Sequence, residues 1–204
     1  MRIGVFGGTF DPVHVGHLIV ADQCREQAEL DQVWFVPAAR PPHKPGQDLT
    51  AFARRAEMLA LATAGNPGFR VEELEKDRPG PSYTVDTLGE LHRRSPGHDY
   101  FFLLGSDCLP DLAHWREPAR IAELAALLIW ERPGWPLWPE EQLRAALRLP
   151  AAAPLRLRVA RGPHVDIASR DLRDRAAHGR SLRYLLPRAV ECYIETHRLY
   201  QATS

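Results

Sequence analysis

The stretch MRIGVFGGTFDPVHVGHLIVADQ, residues 1–23, contains a strand pattern, a glycine pair and a helix pattern in direct succession. The apolar run at residues 2–6 is typical of a buried strand, and helical periodicity begins near Val15. Gly7 and Gly8 lie between them and allow a tight turn. In such a unit, free backbone N–H groups and the positive end of the helix dipole face one point. The stretch therefore predicts a binding site for an anion such as phosphate.

The histidines of this stretch, His14 and His17, are three residues apart. This spacing is nearly one helical turn, so both imidazoles are predicted on one face at the helix start, with Gly16 leaving room for a bulky phosphate ester. A single histidine there is more often a cap or a surface residue. Zinc is a weaker alternative, because no third ligand follows at a normal spacing. The strings G-x-G-x-x-G and G-K-[ST] are absent, which disfavours a generic dinucleotide or P-loop protein.

Apolar runs with the length and composition of strands alternate with helical patterns along the chain. A pair of helices is predicted around residues 111–124, and the proline-rich segments at 40–46 and 132–141 are predicted to be loops. The alternation of strand and helix patterns predicts crossover units and a doubly wound, Rossmann-like α/β fold, with a mostly parallel sheet and helices on both faces. Ligands of such sheets bind beyond the carboxyl ends of the strands. We expect one domain spanning residues 1–204, with residues from about 165 to 204 as a small C-terminal helical part. The predicted strands are residues 2–6, 32–37, 69–74, 99–105, 126–131 and 155–159.

The composition limits the possible partners and compartments. Acidic and basic residues balance at 26 each, so the net charge indicates neither a nucleic-acid nor a membrane partner. Cys24, Cys108 and Cys192 are odd in number and far apart, which favours a reducing compartment over a disulfide framework. No apolar run approaches the roughly 18 residues of a membrane span. We therefore expect a soluble cytoplasmic protein.

Several strings resemble those of a known enzyme family. GGTFDPVHVGH, residues 7–17, resembles the signature of the nucleotidyltransferase superfamily with the H-x-G-H motif. Four further segments resemble those of bacterial nicotinate-nucleotide adenylyltransferases: VPAARPPHKPG at 36–46, PSYTVDTL at 81–88, LLGSDCLPDLAHWREP at 103–118 and WERPG at 130–134. The resemblance implies transfer of AMP from ATP to nicotinate mononucleotide, giving deamido-NAD and pyrophosphate.

The resemblance also implies roles for the residues that would contact phosphate. His14 is assigned to the bridging or α-phosphate oxygens and His17 to the α- or β-phosphate, while Lys44 and Arg173 are assigned to the departing pyrophosphate. The nucleophile is already an anion at neutral pH, so donors are expected rather than a general base. Mg²⁺ is expected to bridge phosphate oxygens and keep several waters, without metal ligands from the protein.

The last signature of that family, approximately I-S-x-T-x-[IL]-R, is only partly matched by IASRDLR at residues 167–173. Arg173 matches its terminal arginine, but Ala168 stands where a serine is expected and Arg170 where a threonine is expected. Ser169 and Arg170 are candidates to replace the missing hydroxyl donors. A solvated, salt-bridged helix face is the alternative interpretation of these arginines.

The remaining assignments divide into two groups. Trp115 is expected to stack on a pyridine ring, although a core tryptophan is the alternative. Thr84 and nearby backbone N–H groups are expected to receive the pyridine carboxylate, with Ser82 and Thr84 as ordinary N-caps otherwise. Asp107 is expected to accept hydrogen bonds from ribose hydroxyls or to cap a helix. In full, the ATP group is Gly7, Gly8, Thr9, Phe10, Gly105, Asp107, Ser169 and Arg170, and the mononucleotide group is Ser82, Tyr83, Thr84, Trp115 and Arg132.

Other functions remain possible at this point. The nearest alternative accepts nicotinamide mononucleotide, alone or together with the acid. A phosphopantetheine adenylyltransferase is less consistent, because such chains are shorter and do not combine the segments at 81–88 and 103–118. The altered string at 167–173 also permits a nucleotide-sensing protein without turnover. The expected partners are ATP and nicotinate mononucleotide, in a monomer or a homo-oligomer.

Overall fold

The computed structural model describes residues 1–42 and 48–201, and six strands of this part form one sheet. Strand β3 is shorter than the apolar run that predicted it, because only its first residues pair with β2. The strands are β1 (Arg2–Gly8), β2 (Gln32–Pro37), β3 (Phe69–Val71), β4 (Asp99–Gly105), β5 (Ala126–Trp130) and β6 (Leu157–Ala160).

The strand order is β3-β2-β1-β4-β5-β6, and every neighbouring pair is parallel. The order reverses at β1, whose neighbours β2 and β4 belong to opposite halves of the sheet. In a doubly wound sheet, the crevice beyond the carboxyl ends at this reversal is the usual ligand site. The predicted Rossmann-like fold is confirmed, and its switch point lies where β1 ends at Gly8 and β4 ends at Gly105.

The described residues also form seven α-helices and one 3₁₀ helix, and the last two α-helices follow β6, the last strand. Two of the helices between the strands differ from the sequence-based expectation. The segment after β4, expected to be α-helical, forms the 3₁₀ helix Ser106–His114, which contains Pro110, and α5 begins inside a proline-rich stretch that was predicted to be a loop. The α-helices are α1 (Val15–Gln27), α2 (Phe52–Thr63), α3 (Thr84–Arg94), α4 (Pro118–Leu124), α5 (Glu140–Ala146), α6 (Ser169–Ala177) and α7 (Arg188–Thr196). Among the described residues, no helix has the length and apolar character that crossing a membrane requires.

The core consists of two apolar clusters, one on each face of the sheet. Because side chains alternate along a strand, β4 contributes Phe102 to one cluster and Phe101 to the other. Gly4 of β1 lies at a close approach: a Cβ atom there would be 2.8 Å from Cδ1 of Leu30, which follows α1. The absence of a side chain at Gly4 thus lets the segment after α1 pack directly on β1.

Candidate functional site

Two cavities lie at the carboxyl end of the sheet. The first, here called the histidine cavity, has a volume of about 350 Å³ and is lined in part by His14, His17 and Arg132. The second, the Trp115 cavity, has a volume of about 460 Å³ and is lined in part by Trp115 and Thr84. Each volume suits part of a nucleotide-sized ligand.

The histidine pair stands at the start of α1. His14 is the N-cap residue with extended backbone, φ −141° and ψ 170°, and its N–H donates to Nδ1 of His17 at 3.2 Å. The rings are stacked with centroids 3.7 Å apart. Because Nδ1 of His17 accepts this hydrogen bond, the neutral ring carries its proton on Nε2. Among the described residues, the Nε2–H of His17 has no acceptor, and the orientation of the ring is set by the backbone N–H of His14, the residue before the helix.

Both imidazoles are neutral at pH 7. Burial, with a smaller contribution from the charge of Arg132, lowers the pKa of His14 from 6.5 to about 4. Burial also lowers the pKa of His17, and His14 and Arg132 act in the same direction. Among the described residues that line this cavity, the permanently charged cation is Arg132, while the histidines contribute N–H donors.

The lowered pKa of His14 has a consequence for stability. The unfolded chain binds a proton near pH 6.5 and the folded chain only near pH 4, so acidification between these values favours unfolding. From pH 7 to pH 5 we expect His14 to reduce the free energy of unfolding by ~2 kcal/mol. Urea titrations of the parent and of His14→Asn at both pH values measure this difference. The parent should lose more stability than the variant.

His178→Asn provides the control for that measurement, because the His178 side chain is 65% exposed on α6. This control should lose as much stability on acidification as the parent protein does. An equal loss in the parent and in His14→Asn would contradict the buried neutral state of His14.

The turn after β1 differs from the predicted glycine turn. Gly7 and Gly8 belong to the end of β1, and the chain reverses at Phe10, whose φ is +49°. The Phe10 ring lies under Gly8, where an added Cβ atom would be 2.7 Å from the phenyl Cζ, and it meets the His17 ring edge-on at 5.0 Å between centroids. Phe10 was predicted to contact ATP, but it is 2% exposed and supports the His17 imidazole from below.

Arg132 and Asp107 form an ion pair, Nε to Oδ1 3.1 Å, in the wall of the histidine cavity. A Cβ atom on Gly105 would collide with both side chains, so glycine is required for the pair to cross the end of β4. The Arg132 N–H also donates to Oγ of Ser106 at 2.9 Å. Arg132 was predicted in the mononucleotide group, and the structure places it in the lining of the histidine cavity, with its backbone held to the residue after β4. Asp107 does not cap the 3₁₀ helix, whose N-cap is Gly105.

The Trp115 cavity contains most of the other predicted residues. Trp115 packs edge-on against Phe102 at 5.8 Å between centroids, and Cζ of Arg116 lies 4.9 Å from the centroid of the Tyr83 ring. Trp115 is therefore packed against the core, and the Tyr83 ring is packed against the Arg116 guanidinium. The predicted residues in this cavity's lining are Gly7, Gly8, Thr9, Ser82, Tyr83, Thr84 and Trp115. The three residues from the opening string thus line this cavity rather than the histidine cavity expected for ATP.

Helix α3 points its N-terminus into the Trp115 cavity. The interpretation of Ser82 and Thr84 as N-caps is wrong, because Tyr83 occupies that position and makes no side-chain cap. Ser82 instead pairs with Arg40: its Oγ accepts from the Arg40 N–H at 3.0 Å, and its own N–H donates to the Arg40 carbonyl at 2.9 Å. The Asp86 N–H already donates to the Tyr83 carbonyl at 3.1 Å, but the Tyr83 side chain makes no cap. Among the described residues, the N–H groups of Thr84 and Val85 are therefore left for a bound anion.

The C-terminal segment meets the turn that precedes α1. Ser169 donates from Oγ to the Pro12 carbonyl at 2.9 Å, and Arg173 donates from Nη1 to the Asp11 carbonyl at 2.7 Å. Arg170 lies apart, 85% exposed, with Nε 3.4 Å from Oδ1 of Asp171. The structure therefore brings Ser169 and Arg173, but not Arg170, to the histidine turn. Lys44 lies outside the described residues.

Metal ligands can be assessed only for residues 1–42 and 48–201. No group of three or more His, Cys, Asp or Glu residues there could hold a metal ion. Asp107, which lines the histidine cavity, is already paired with Arg132.

Several site residues were missed by the sequence analysis. Trp135 and His164 line the histidine cavity, but they lie in proline-rich loops where spacing carries no signal. Arg55 is different, because it occupies the apolar face of α2 together with Phe52 and Leu59 and is 1% exposed. A charge on an otherwise apolar stripe is a detectable signal of a buried polar contact.

The sheet order and the paired imidazoles at a helix start define a nucleotide-transferring enzyme, and residues 5–175 match the family model described as Cytidylyltransferase-like. A "Probable nicotinate-nucleotide adenylyltransferase" of Thermus thermophilus is 49% identical over 201 residues, 98% of this chain and 100% of the relative. One of the same name from Salinibacter ruber is 42% identical over 207 residues, 100% of both chains. The chain belongs to the nicotinate-nucleotide adenylyltransferase family of these enzymes.

A solved structure supports the fold independently. It is titled Plasmodium falciparum nicotinic acid mononucleotide adenylyltransferase complexed with NaAD, and it aligns with a TM-score of 0.77 at 21% identity. The alignment covers 98% of this chain and 97% of the other. At this level of identity the agreement concerns the fold, so the chemistry of the site is argued below from the residues of this chain.

Proposed function

We propose that this protein transfers AMP from ATP to nicotinate mononucleotide, giving deamido-NAD and pyrophosphate. The observation that carries the proposal is the pair of separate cavities on the two sides of the end of β1, with the stacked imidazoles at the helix start in one of them. A two-substrate transfer requires two adjoining pockets and donors aimed at the atoms exchanged between them.

ATP is assigned to the histidine cavity. Among the described residues, the Nε2–H of His17 has no partner, while the other ring nitrogen is already bonded. Arg132 lines the same cavity and contributes a guanidinium that is paired on one side with Asp107. Both favour the negative charge of phosphate oxygens. Asp107 is assigned to the ribose hydroxyls, because its carboxylate lines the same cavity.

Nicotinate mononucleotide is assigned to the Trp115 cavity. An indole face can stack on a pyridine ring and contributes about 1 kcal/mol beyond the buried area. The uncapped N-terminus of α3 lies in the same cavity and favours a carboxylate over a neutral amide by the charge of the helix dipole. Preference for the acid therefore needs no dedicated arginine.

The transfer is a direct displacement. An oxygen of the mononucleotide phosphate forms a bond to the α-phosphorus of ATP while the bond from that phosphorus to the bridging oxygen breaks, and pyrophosphate departs with the electron pair. No proton has to be removed from the nucleophile at pH 7, so positioning and charge stabilisation supply the catalysis. His14 and His17 donate to the α- and β-phosphate oxygens. Lys44 and Arg173 are assigned to the pyrophosphate, and Arg173 lies beside the histidine turn.

Mg²⁺ bound to ATP would neutralise charge on the phosphate oxygens. We propose that this cation is held by phosphate oxygens of the substrate and by water. We place the reaction in the cytoplasm on the basis of the unpaired cysteines Cys24, Cys108 and Cys192. One domain is proposed to complete the reaction, as a monomer or as a homo-oligomer.

A pyrophosphate-release assay tests this function. Purified protein with ATP and Mg²⁺ is given nicotinate mononucleotide or nicotinamide mononucleotide in separate reactions. We expect kcat/KM to favour the acid by about tenfold or more, because the α3 N-terminus distinguishes a carboxylate from an amide by roughly 1–2 kcal/mol. Equal rates would indicate dual specificity. ATP binding in a calorimeter without pyrophosphate release would instead indicate a nucleotide sensor.

A further inference from the structure

A buried polar layer lies beneath the turn that carries the histidine pair. Arg55 of α2 is 1% exposed and donates from Nη1 to the Thr9 and Ala38 carbonyls, both at 2.8 Å, and from Nε to the Thr50 carbonyl at 2.8 Å. Thr9 and Ala38 each directly follow a strand, β1 and β2 respectively. The guanidinium thus fixes the backbone at the carboxyl ends of both strands.

Asp11 is the second member of this layer and is 2% exposed. Its Oδ2 accepts from the Thr50 N–H at 3.1 Å, and its Oδ1 accepts from the Tyr200 hydroxyl at 2.6 Å. The Asp11 carbonyl accepts from Arg173. Tyr200, which is 189 positions from Asp11 in the sequence, therefore binds the Asp11 side chain. Arg173 of α6 binds the Asp11 backbone.

The Tyr200 hydroxyl remains a donor across the physiological pH range. Burial and the neighbouring Asp11 carboxylate both raise the pKa of Tyr200. A hydrogen bond to an ionised acceptor is stronger than one between neutral groups, and removing one partner leaves a buried charge incompletely satisfied. Loss of this hydroxyl should therefore weaken the position of the Asp11 side chain and of the turn that contains it.

We propose that Tyr200 is a positioning residue that acts through Asp11 to hold the turn before α1, so that His14 and His17 are aligned with the phosphates in the transition state. The proposal rests on the proposed function. Tyr200 lines neither cavity and is separated from His14 by the Asp11–Val13 segment. Tyr200 contributes by keeping the turn in place. Displacement of a histidine donor by about 1 Å can lower the rate up to a hundredfold.

Tyr200→Phe tests the proposal, because it removes one hydroxyl and keeps the ring. We expect kcat for pyrophosphate release to fall about tenfold, with the KM for nicotinate mononucleotide changed less than about twofold. Tyr193→Phe is the matched control: it removes a hydroxyl from α7 that contacts Arg54 and Glu57 instead of the turn. Its kcat should remain within about twofold of the parent value.

A double-mutant cycle that combines Tyr200→Phe with Asp11→Asn tests whether Tyr200 affects kcat through Asp11. Asparagine offers one oxygen to the two donors that Asp11 now satisfies, the Thr50 N–H and the Tyr200 hydroxyl. If Tyr200 acts through Asp11, the loss of kcat in the double variant will be smaller than the product of the two separate losses. Independent, multiplying losses would overturn the proposal. If the double variant does not fold, the single variants decide.

Three other results would overturn the proposal: an unchanged kcat in Tyr200→Phe, equal losses in Tyr200→Phe and Tyr193→Phe, or a change confined to the KM for nicotinate mononucleotide. Failure of the proposed function is distinguished by the parent protein, which would then release no pyrophosphate. In that case calorimetric ATP affinity replaces kcat as the readout. Weaker ATP binding in Tyr200→Phe than in Tyr193→Phe supports the alignment of the turn, and equal binding contradicts it.

Discussion

Replacement of His17 by alanine should lower the turnover number for pyrophosphate release by about a hundredfold or more, which corresponds to the loss of one transition-state donor, ~3 kcal/mol. The reason is that the Nε2–H of His17 is a neutral donor in a cavity where burial keeps the imidazole pKa low. Such a donor needs no reorganisation as charge develops on the phosphates. The measurement is the steady-state rate at saturating ATP and nicotinate mononucleotide.

Two further variants separate catalysis from folding in this experiment. His178→Ala removes a histidine side chain that is 65% exposed, and its turnover should equal that of the parent. His17→Asn keeps an acceptor near the Nδ1 position that caps His14, so it should preserve the helix start while the rate remains low. Full turnover in folded His17→Ala would remove His17 from the mechanism.

Replacement of Trp115 by alanine should raise the KM for nicotinate mononucleotide about thirtyfold, equivalent to ~2 kcal/mol of stacking and apolar burial. The KM for ATP should change by less than about twofold, because Trp115 lines the cavity assigned to the mononucleotide and is absent from the described lining of the histidine cavity. Initial rates with one substrate saturating and the other varied give both constants.

Trp135→Ala is the contrasting variant, since Trp135 lines the histidine cavity and is 47% exposed. It removes the same side chain from the opposite side of β1 and should leave the KM for nicotinate mononucleotide unchanged. A selective rise in the KM for ATP on loss of Trp115 would reverse the assignment of the two cavities.

Much of the fold was predictable because it depends on local patterns. Each strand is a short apolar run, and the parallel order follows from the helices between them. The helix start at Val15 was equally predictable, because apolar residues at helical spacing begin there, directly after the glycine pair and His14. Helix α5 was missed because prolines precede it directly and conceal its few apolar positions. The single-domain organisation and the roles of the site residues remain predictions.

Contacts between distant segments could not be predicted in the same way. Arg132 was assigned from a string that resembles a family motif, and that string does not reveal the ion pair with Asp107 or the hydrogen bond to Ser106 that hold it in the wall of the histidine cavity. Phe10 points inward because its backbone is left-handed, with φ +49°. Phenylalanine rarely adopts this conformation, so the sequence did not predict it. The hydrogen bond from Tyr200 to Asp11 joins residues near opposite ends of the chain. A contact between such distant residues leaves no periodic pattern in the sequence.

The division of the carboxyl end into two differently lined pockets bears on inhibitor design. One pocket presents Arg132 and imidazole donors, and the other presents an indole, a phenol ring and a helix end. A single small scaffold cannot match both linings, whereas two weak fragments joined across Gly7 to Thr9 would raise each other's effective concentration. Such tethering commonly strengthens binding by a factor of about 10²–10⁴. The affinity of the joined compound would then depend on whether the linker matches the distance across Gly7 to Thr9 at the carboxyl end of β1.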